Sequence, residues 1–258
     1  MEPGTKLQLE QISVSNKETG LDILDGIDLR VDAGDFVCFV GPSGCGKTTL
    51  LKTIAGFIHP TAGRVMLRDA DGGALDVTGK IDSSRLLVFQ DHALFPWLTV
   101  RGNMEFGLKM QGAGRVEMTA KVTQNIDMVS MTGFEDYNIG QISTGQRARI
   151  AIARALAMSP DVMLMDEPFA ALDAVTTESL QDALRLLWLR TRKTILFITH
   201  DIYEACMLGT KIVVMGRRPS TILRVFESPR EELRTREDVA DMALEIRELL
   251  RPKRSPTD

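Results

Sequence analysis

Cysteine is too sparse here to build a scaffold. The three that occur, Cys38, Cys45 and Cys206, have neither metal-ligand spacing nor a pairing pattern, which suits a reducing cytosol. Long basic blocks are also missing. Arg217-Arg218 and the trio Arg251, Lys253 and Arg254 are short clusters that read as solvated surface, and with a net charge of −4 a nucleic-acid partner is disfavoured. No uninterrupted apolar run approaches the ~20 residues that span a bilayer. Met1 to Thr5 carries no basic-then-apolar targeting signal, so work at a membrane would need a partner to hold the chain there. Repeats and low-complexity tracts are absent. What remains, 258 residues at 44% hydrophobic and 26% charged, is ordinary for a soluble globular protein, with disorder expected only at the ends.

The stretch that organises the rest runs from Phe36 to Leu51. An apolar run, Phe36 to Val40, precedes Gly41-Pro42-Ser43-Gly44-Cys45-Gly46-Lys47-Thr48-Thr49, and a helix-like run to Ala55 follows. This is the phosphate-loop pattern G-x-x-x-x-G-K-[ST] in its proper strand, loop, helix context. Glycines let consecutive amide N–H groups point inward at phosphate oxygens, and the helix adds its positive end. Lys47 would reach the β- and γ-phosphates. Thr48 would offer its hydroxyl to Mg2+, a hard cation that prefers oxygen. The expected ligand is a Mg-nucleoside triphosphate. Cys45 stands at a helix start, where a thiol can be reactive, although a small side chain that fits the loop is the plainer role.

From Lys6 to Val31 weak alternation and the turn signals Asp25-Gly26 and Ala33-Gly34-Asp35 predict an antiparallel strand layer. Short strands follow at Arg64–Arg68 and Leu86–Phe89, separated by a polar loop from Asp69 to Gly73. Helices are predicted over Arg101–Lys109, Val116–Ser130 and Arg147–Met158, the last opened by Ser143-Thr144-Gly145-Gln146 and stopped by Ser159-Pro160. Further strands fall at Val162–Met165, Thr194–Thr199, Lys211–Met215 and Thr221–Phe226, with a helix through Leu180, Leu184 and Leu187 between the first two. A final helix places Val239, Met242, Ile246 and Leu249 on one face, and the tail from Arg251 is expected to fray. The alternation argues for an α/β domain interrupted between Gln90 and Pro160 by a helical insertion. The expected division is 1–89 with 160–230 as the ATP-binding core, 90–159 as the helical part, and 231–258 as a C-terminal helix and tail.

Ligands of open parallel sheets gather at the carboxyl ends of strands. Here those ends carry the phosphate loop, Gln90, Asp166-Glu167 and His200, which are expected to converge. Asp166 follows four apolar residues, where a carboxylate would hold Mg2+ directly or through water. Glu167 is then placed to polarise an attacking water. An acidic pair at a strand end is also what an ordinary solvent-facing turn offers. Ser143 with Gln146 three positions on is a capping box, yet a glycine-bearing helix start is equally a phosphate site.

Taken together these residues resemble the ATP-binding subunits of ABC transporters over about residues 7–230. Beyond the phosphate loop the likeness rests on Phe89-Gln90 as the Q-loop and on Ile142-Ser143-Thr144-Gly145-Gln146-Arg147 as the signature, which leads into Ala151-Ile152-Ala153-Arg154-Ala155-Leu156. It rests also on Leu164-Met165-Asp166-Glu167-Pro168, Ala171-Leu172-Asp173 (D-loop) and Thr199-His200-Asp201 (switch histidine). Within the family, Val88-Phe89-Gln90-Asp91 with Leu94 to Val100 is most similar to the nitrate/sulfonate/taurine importer group. The resemblance implies an α/β P-loop NTPase (RecA-like) core with an antiparallel β subdomain and an inserted α-helical subdomain.

It also implies ATP hydrolysis with Mg2+ held by Thr48, Gln90 and Asp166, and Glu167, Gln90 and His200 as catalytic residues. Two subunits, expected to be a homodimer, would pair head to tail. Ser143, Gly145 and Gln146 of one would then meet the nucleotide on the other's phosphate loop, and Asp173 would link the two sites. Closure would drive a separate transmembrane permease docked near Gln90 and Phe95-Pro96-Trp97, with a solute-binding protein as indirect partner. Those aromatics fit core packing equally well. The implied location is the cytoplasmic face of the membrane, and the implied solute is small and anionic. Two departures stand out. Thr144 occupies a family glycine and is expected to crowd the γ-phosphate or weaken closure, and Val14 to Ile23 lacks the aromatic that stacks on adenine, leaving Asn16 at about that place. Both favour the alternative of a low-activity regulatory subunit in a heterodimer.

Overall fold

The computed structural model describes residues 5–16, 18–68, 72–170, 172–228, 237 and 239–251. Its strands and helices in chain order are β1 (Thr5–Ser15), β2 (Asp22–Asp32), β3 (Phe36–Val40), α1 (Lys47–Ile54), β4 (Ala62–Arg68), β5 (Ala74–Asp76) and β6 (Arg85–Val88). Then come α2 (Val100–Met110), α3 (Arg115–Met128), α4 (Thr144–Ala157), β7 (Val162–Asp166), α5 (Ala174–Thr191), β8 (Thr194–Ile198), α6 (Ile202–Leu208), β9 (Lys211–Met215), β10 (Ile222–Glu227) and α7 (Ala240–Leu250). The chain forms two units, Met1–Ile81 with Leu196–Asp258, and Asp82–Ile195.

In the first unit the predicted antiparallel layer has the order β2-β1-β4-β5. The weak alternation of β1 has a physical cause. Leu7 and Leu9 are out of phase with Ile12 and Val14, yet all four are buried, because the register shifts between Leu9 and Ile12 where Gln11 turns left-handed at φ 51°. A bulge of one residue restores the inward face. Gly63 of β4 lies against that bulge. A Cβ there would come 2.3 Å from the Gln11 carbonyl oxygen, so only glycine fits. β5, exposed at every position, has no apolar pattern to announce it; it pairs antiparallel with β4 from Arg68 to Met66, across a loop whose residues 69–71 lie outside those described.

The same unit carries the strand order β10-β9-β3-β8, the boundary between units falling within β8. Every residue of β3 and β8 is buried, the continuous apolar composition of strands covered on both faces. Phe36 and Phe197 pack with ring centroids 5.8 Å apart, each worth about 1.5–3 kcal/mol of burial. α7 follows the predicted face only in part: Val239, Ala243 and Ile246 are buried, whereas Leu249 is 39% exposed.

In the second unit β6 and β7 pair in parallel, Val88 opposite Met165. α4 is alanine-rich, with its apolar residues from Ala148 to Ala157 buried and Arg147, Arg149 and Arg154 half-buried, an apolar face wide enough to pack on most of its circumference. It starts at Ser143 with the predicted capping box and stops where Ser159 turns left-handed before Pro160. Among the described residues no helix is long and apolar enough to cross a membrane.

Candidate active site

The first unit supplies the phosphate loop and His200. β3 is fully buried and delivers Gly41 to the end of the sheet. Gly46, the N-cap of α1, sits at φ 117°, outside the range of L side chains, and a Cβ there would meet Ile23 and Leu24 side-chain carbons at 2.9 Å. No side chain caps α1. Gly41 and Pro42 are half-buried, Ser43, Gly44 and Thr48 exposed, Thr49 half-buried and Cys45 buried. Lys47, 7% exposed, folds over the loop and donates to the carbonyls of Gly41 at 2.9 Å and Pro42 at 3.1 Å. The cation that would meet phosphate is thus held in the loop by groups that phosphate oxygens can replace. His200 follows Thr199, whose N–H donates to Phe39 of β3 at 3.3 Å. Asp201 next to it caps α6 by accepting from Tyr203 and Glu204. Backbone fixed on both sides presents an exposed imidazole at the strand end neighbouring the phosphate loop.

The second unit holds Gln90, Asp166 and Glu167. Because Val88 lies opposite Met165 in a parallel pair, Gln90 and Glu167, each two residues further on, leave the sheet at the same end. Asp166 is buried at the end of four buried apolar residues and Glu167 half-buried. Glu167 adopts φ 46°, a left-handed conformation costing a non-glycine residue about 1–2 kcal/mol. Strain of this kind concentrates at functional sites. Thr48 in the first unit and Asp166 in the second each carry oxygen, the donor type that Mg2+ prefers.

The exposed Gln90 opens a turn that sequence reasoning did not resolve. His92 and Ala93 are both left-handed, at φ 64° and 44°. Arg154 of α4 donates to their carbonyls, at 3.0 Å to His92 and 2.8 Å to Ala93. Two charge-assisted bonds of about 1.5–3 kcal/mol each offset two strained residues at about 1–2 kcal/mol each. Burial pushes the Arg154 guanidinium below its ordinary pKa; it stays protonated. The His92 ring is buried, which lowers its pKa although the Pro168 carbonyl favours its protonated form. Its Nε2 has no partner among the described residues. Fully buried Asn103 latches the following segment, accepting from the Phe95 N–H at 2.7 Å and donating to the carbonyls of Phe95 at 3.1 Å and Thr99 at 3.0 Å. Phe95 packs on Phe106 at 4.5 Å between centroids and on Trp97 at 5.4 Å. Trp97 itself is 74% exposed, so core packing accounts for Phe95 and leaves Trp97 outward.

Ser143 and Gln146 complete the capping box, Oγ accepting from the Gln146 N–H at 3.2 Å and Oε1 from the Ser143 N–H at 2.9 Å. Thr144 is exposed. Gly145 is buried, and a Cβ on it would lie 2.6 Å from Thr176 Cγ2. Asp173 is the N-cap of α5 and accepts from the Thr176 N–H at 3.0 Å and hydroxyl at 2.7 Å; those hydrogen bonds hold its carboxyl below the usual range. Ala171 of the D-loop pattern lies outside the described residues. Gly145→Ala is expected to destabilise by about 1–3 kcal/mol through overpacking. Thr176→Ser, which deletes Cγ2 and keeps the hydroxyl, should recover most of that loss in a denaturant double-mutant cycle. Strictly additive effects would show that the clash is not where the backbone places it.

A sequence model described as "ABC transporter" matches residues 24–170. The chain belongs to the ABC transporter ATP-binding family. As an ABC cassette it is an ATPase with a P-loop NTPase fold. Two proteins similar to this cassette are taurine import ATP-binding proteins TauB. That of Pseudomonas syringae pv. tomato is 43% identical over 84% of this chain and 80% of its own length, and that of Roseobacter denitrificans is 41% identical over 85% and 80%. Among solved structures, the dimeric ATP-binding cassette MJ0796 in a post-hydrolysis state with ADP and Pi matches at TM-score 0.72 and 30% identity, covering 89% of this ABC cassette and 99% of that chain. The protein cbiO1 of Clostridium perfringens, part of the ABC transporter complex cbiONQ, matches at TM-score 0.78 and 26% identity over 95% and 97%.

Proposed function

We propose that this chain is the ATP-hydrolysing subunit of an importer, in which ATP-driven closure of two such subunits powers uptake of a small sulfonate-like anion through a separate permease. The observation that carries the reading is the complete phosphate loop with Lys47 folded over it, in a chain whose relatives are named for taurine import. In this reading Lys47 exchanges the Gly41 and Pro42 carbonyls for phosphate oxygens, and Thr48, Gln90 and Asp166 would hold Mg2+, which would neutralise charge on the phosphates. Glu167 accepts a proton from water as its oxygen attacks the γ-phosphorus. The bond from that phosphorus to the bridging oxygen breaks and ADP leaves. His200 steadies the γ-phosphate in the same subunit, while Ser143, Gly145, Gln146 and Asp173 serve the partner's nucleotide.

The purified chain is expected to hydrolyse Mg-ATP, and Lys47→Ala to lower that rate by about 10²-fold or more, since a charge-stabilising group is lost. Recovery of the tagged chain from native membranes should bring a multispanning permease with this one kind of ATP-binding subunit. A chain that neither binds nor hydrolyses Mg-ATP would sink the reading. A second reading, a low-activity subunit in a heterodimer, is favoured by Thr144 and by Asn16, whose side-chain oxygen is engaged by the Glu18 and Thr19 N–H groups. A different ATP-binding subunit in the recovered complex would move the weight there.

A further inference from the structure

Arg154 lies on α4, eleven residues beyond Ser143, the helix start that the proposed function gives to the partner's nucleotide, and that reading assigns it no part. Its guanidinium instead takes the carbonyls of His92 and Ala93 with Phe95 under it, 5.7 Å from the ring centroid. The turn it holds is otherwise weakly specified. Two consecutive non-glycine residues are left-handed, held besides Arg154 by the buried His92 ring beside the Pro168 carbonyl, by His92 N–H to the Phe89 carbonyl at 2.9 Å and by Ala93 N–H to Asp91 Oδ1 at 3.2 Å. Such conformations persist only where surroundings over-determine them. A planar fork that donates in two directions at once and stacks on a ring is a job for arginine and not for lysine.

We propose that Arg154 is the positioning residue of the loop that carries Gln90: by taking both carbonyls it fixes the turn to α4, so that Gln90 and the signature helix move as one body. The proposal rests on the reading that Gln90 serves hydrolysis. It also gives a role to the half-buried arginine that follows the buried run Ile150 to Ala153 of α4. The stack continues from Arg154 through Phe95 to Trp97, whose ring lies 5.4 Å from that of Phe95. The placement of the turn therefore has an optical reporter, because of the two tryptophans Trp188 is fully buried and Trp97 is 74% exposed.

Arg154→Ala, Arg154→Lys and Gln90→Ala are compared with the unaltered chain for Mg-ATP turnover and for iodide quenching of tryptophan emission. Arg154→Ala is expected to lower kcat by about 10- to 10²-fold, the scale of a misplaced catalytic group, with KM within about two-fold, and to change Trp97 quenching. Guanidinium ion at tens of millimolar should restore part of both, and ammonium ion neither; Arg154→Lys should resemble the alanine variant more than the parent. Unchanged quenching in both Arg154 variants would overturn the proposal. So would a loss that guanidinium fails to restore and that tracks a fall in Tm, since that marks a role in folding alone. If Gln90→Ala leaves kcat intact while Arg154→Ala still alters quenching in a guanidinium-dependent way, the clamp stands and the role given to Gln90 falls.

Discussion

Replacing Glu167 by Gln is expected to lower ATP turnover by about 10²–10⁴-fold, the usual worth of a positioned general base, while leaving Mg-ATP affinity within a few-fold. The substitution is nearly isosteric. Glutamine keeps the volume of Glu167 and does not change the backbone cost of its left-handed conformation at φ 46°, so the loop should hold its shape. What is lost is the capacity to accept a proton from the attacking water. Because binding survives and hydrolysis does not, the variant should accumulate the ATP-bound state. In the proposed cycle that state is a closed pair of subunits. Size-exclusion chromatography with Mg-ATP should then show a dimer for Glu167→Gln and mostly monomer for the unaltered chain. Turnover within about ten-fold of the parent would remove Glu167 as the base. A variant that is inactive yet monomeric at saturating Mg-ATP would keep the base and sink the closure step.

Much of this arrangement was legible from local patterns that have one structural solution. The apolar runs Phe36–Val40 and Ile195–Ile198 lie in buried strands, and Gly41 and Thr199 immediately after them are where the chain leaves the sheet. Ser143 and Gln146 could be read as a capping box because both acceptors are side chains of named types three positions apart, each taking the other residue's backbone N–H. What was not legible involves partners without sequence identity. Arg154 bonds to backbone carbonyls 61 and 62 positions away, and every residue carries a carbonyl. The left-handed His92 and Ala93 follow from that bond and from tertiary packing, not from propensity, since neither is glycine or asparagine. β5 escaped notice because no face of it is buried. Conversely, the out-of-phase pair Leu9 and Ile12 was a visible anomaly, and the bulge at Gln11 explains it.

The base of β3, at the opposite end of that strand from the phosphate loop, carries the second large effect. Lys211 lies opposite Val37 and reaches Asp32 at 3.1 Å and Asp35 at 3.0 Å. Asp35 is fully buried; one of its oxygens also accepts from the Asp32 N–H at 2.8 Å and the other from the Thr210 hydroxyl at 3.3 Å. Removing the ammonium with Lys211→Met keeps the stem and strands a buried carboxylate, which costs about 3–5 kcal/mol. In a chain this size that lowers Tm by roughly 10 °C.

The pH dependence carries a sign. Burial pushes the Asp32 carboxyl up, but Lys211 beside it outweighs this and holds it below the ordinary value, so its contribution is present above about pH 4 and is lost as pH falls through the depressed folded value. Burial likewise pushes Lys211 down, but Asp35 and Asp32 outweigh it and raise its pKa; that contribution is complete below about pH 10 and is lost as pH rises through the raised folded value. The Tm gap between parent and Lys211→Met should therefore be flat from about pH 5 to 9 and narrow on both sides. A gap that closes within that range would show that the pair does not carry its charge in the folded chain. The opposite variant, Asp35→Asn, leaves Lys211 its second carboxylate, Asp32, and should cost less than Lys211→Met, because the cation keeps a charged partner whereas in Lys211→Met a fully buried carboxylate loses its ammonium.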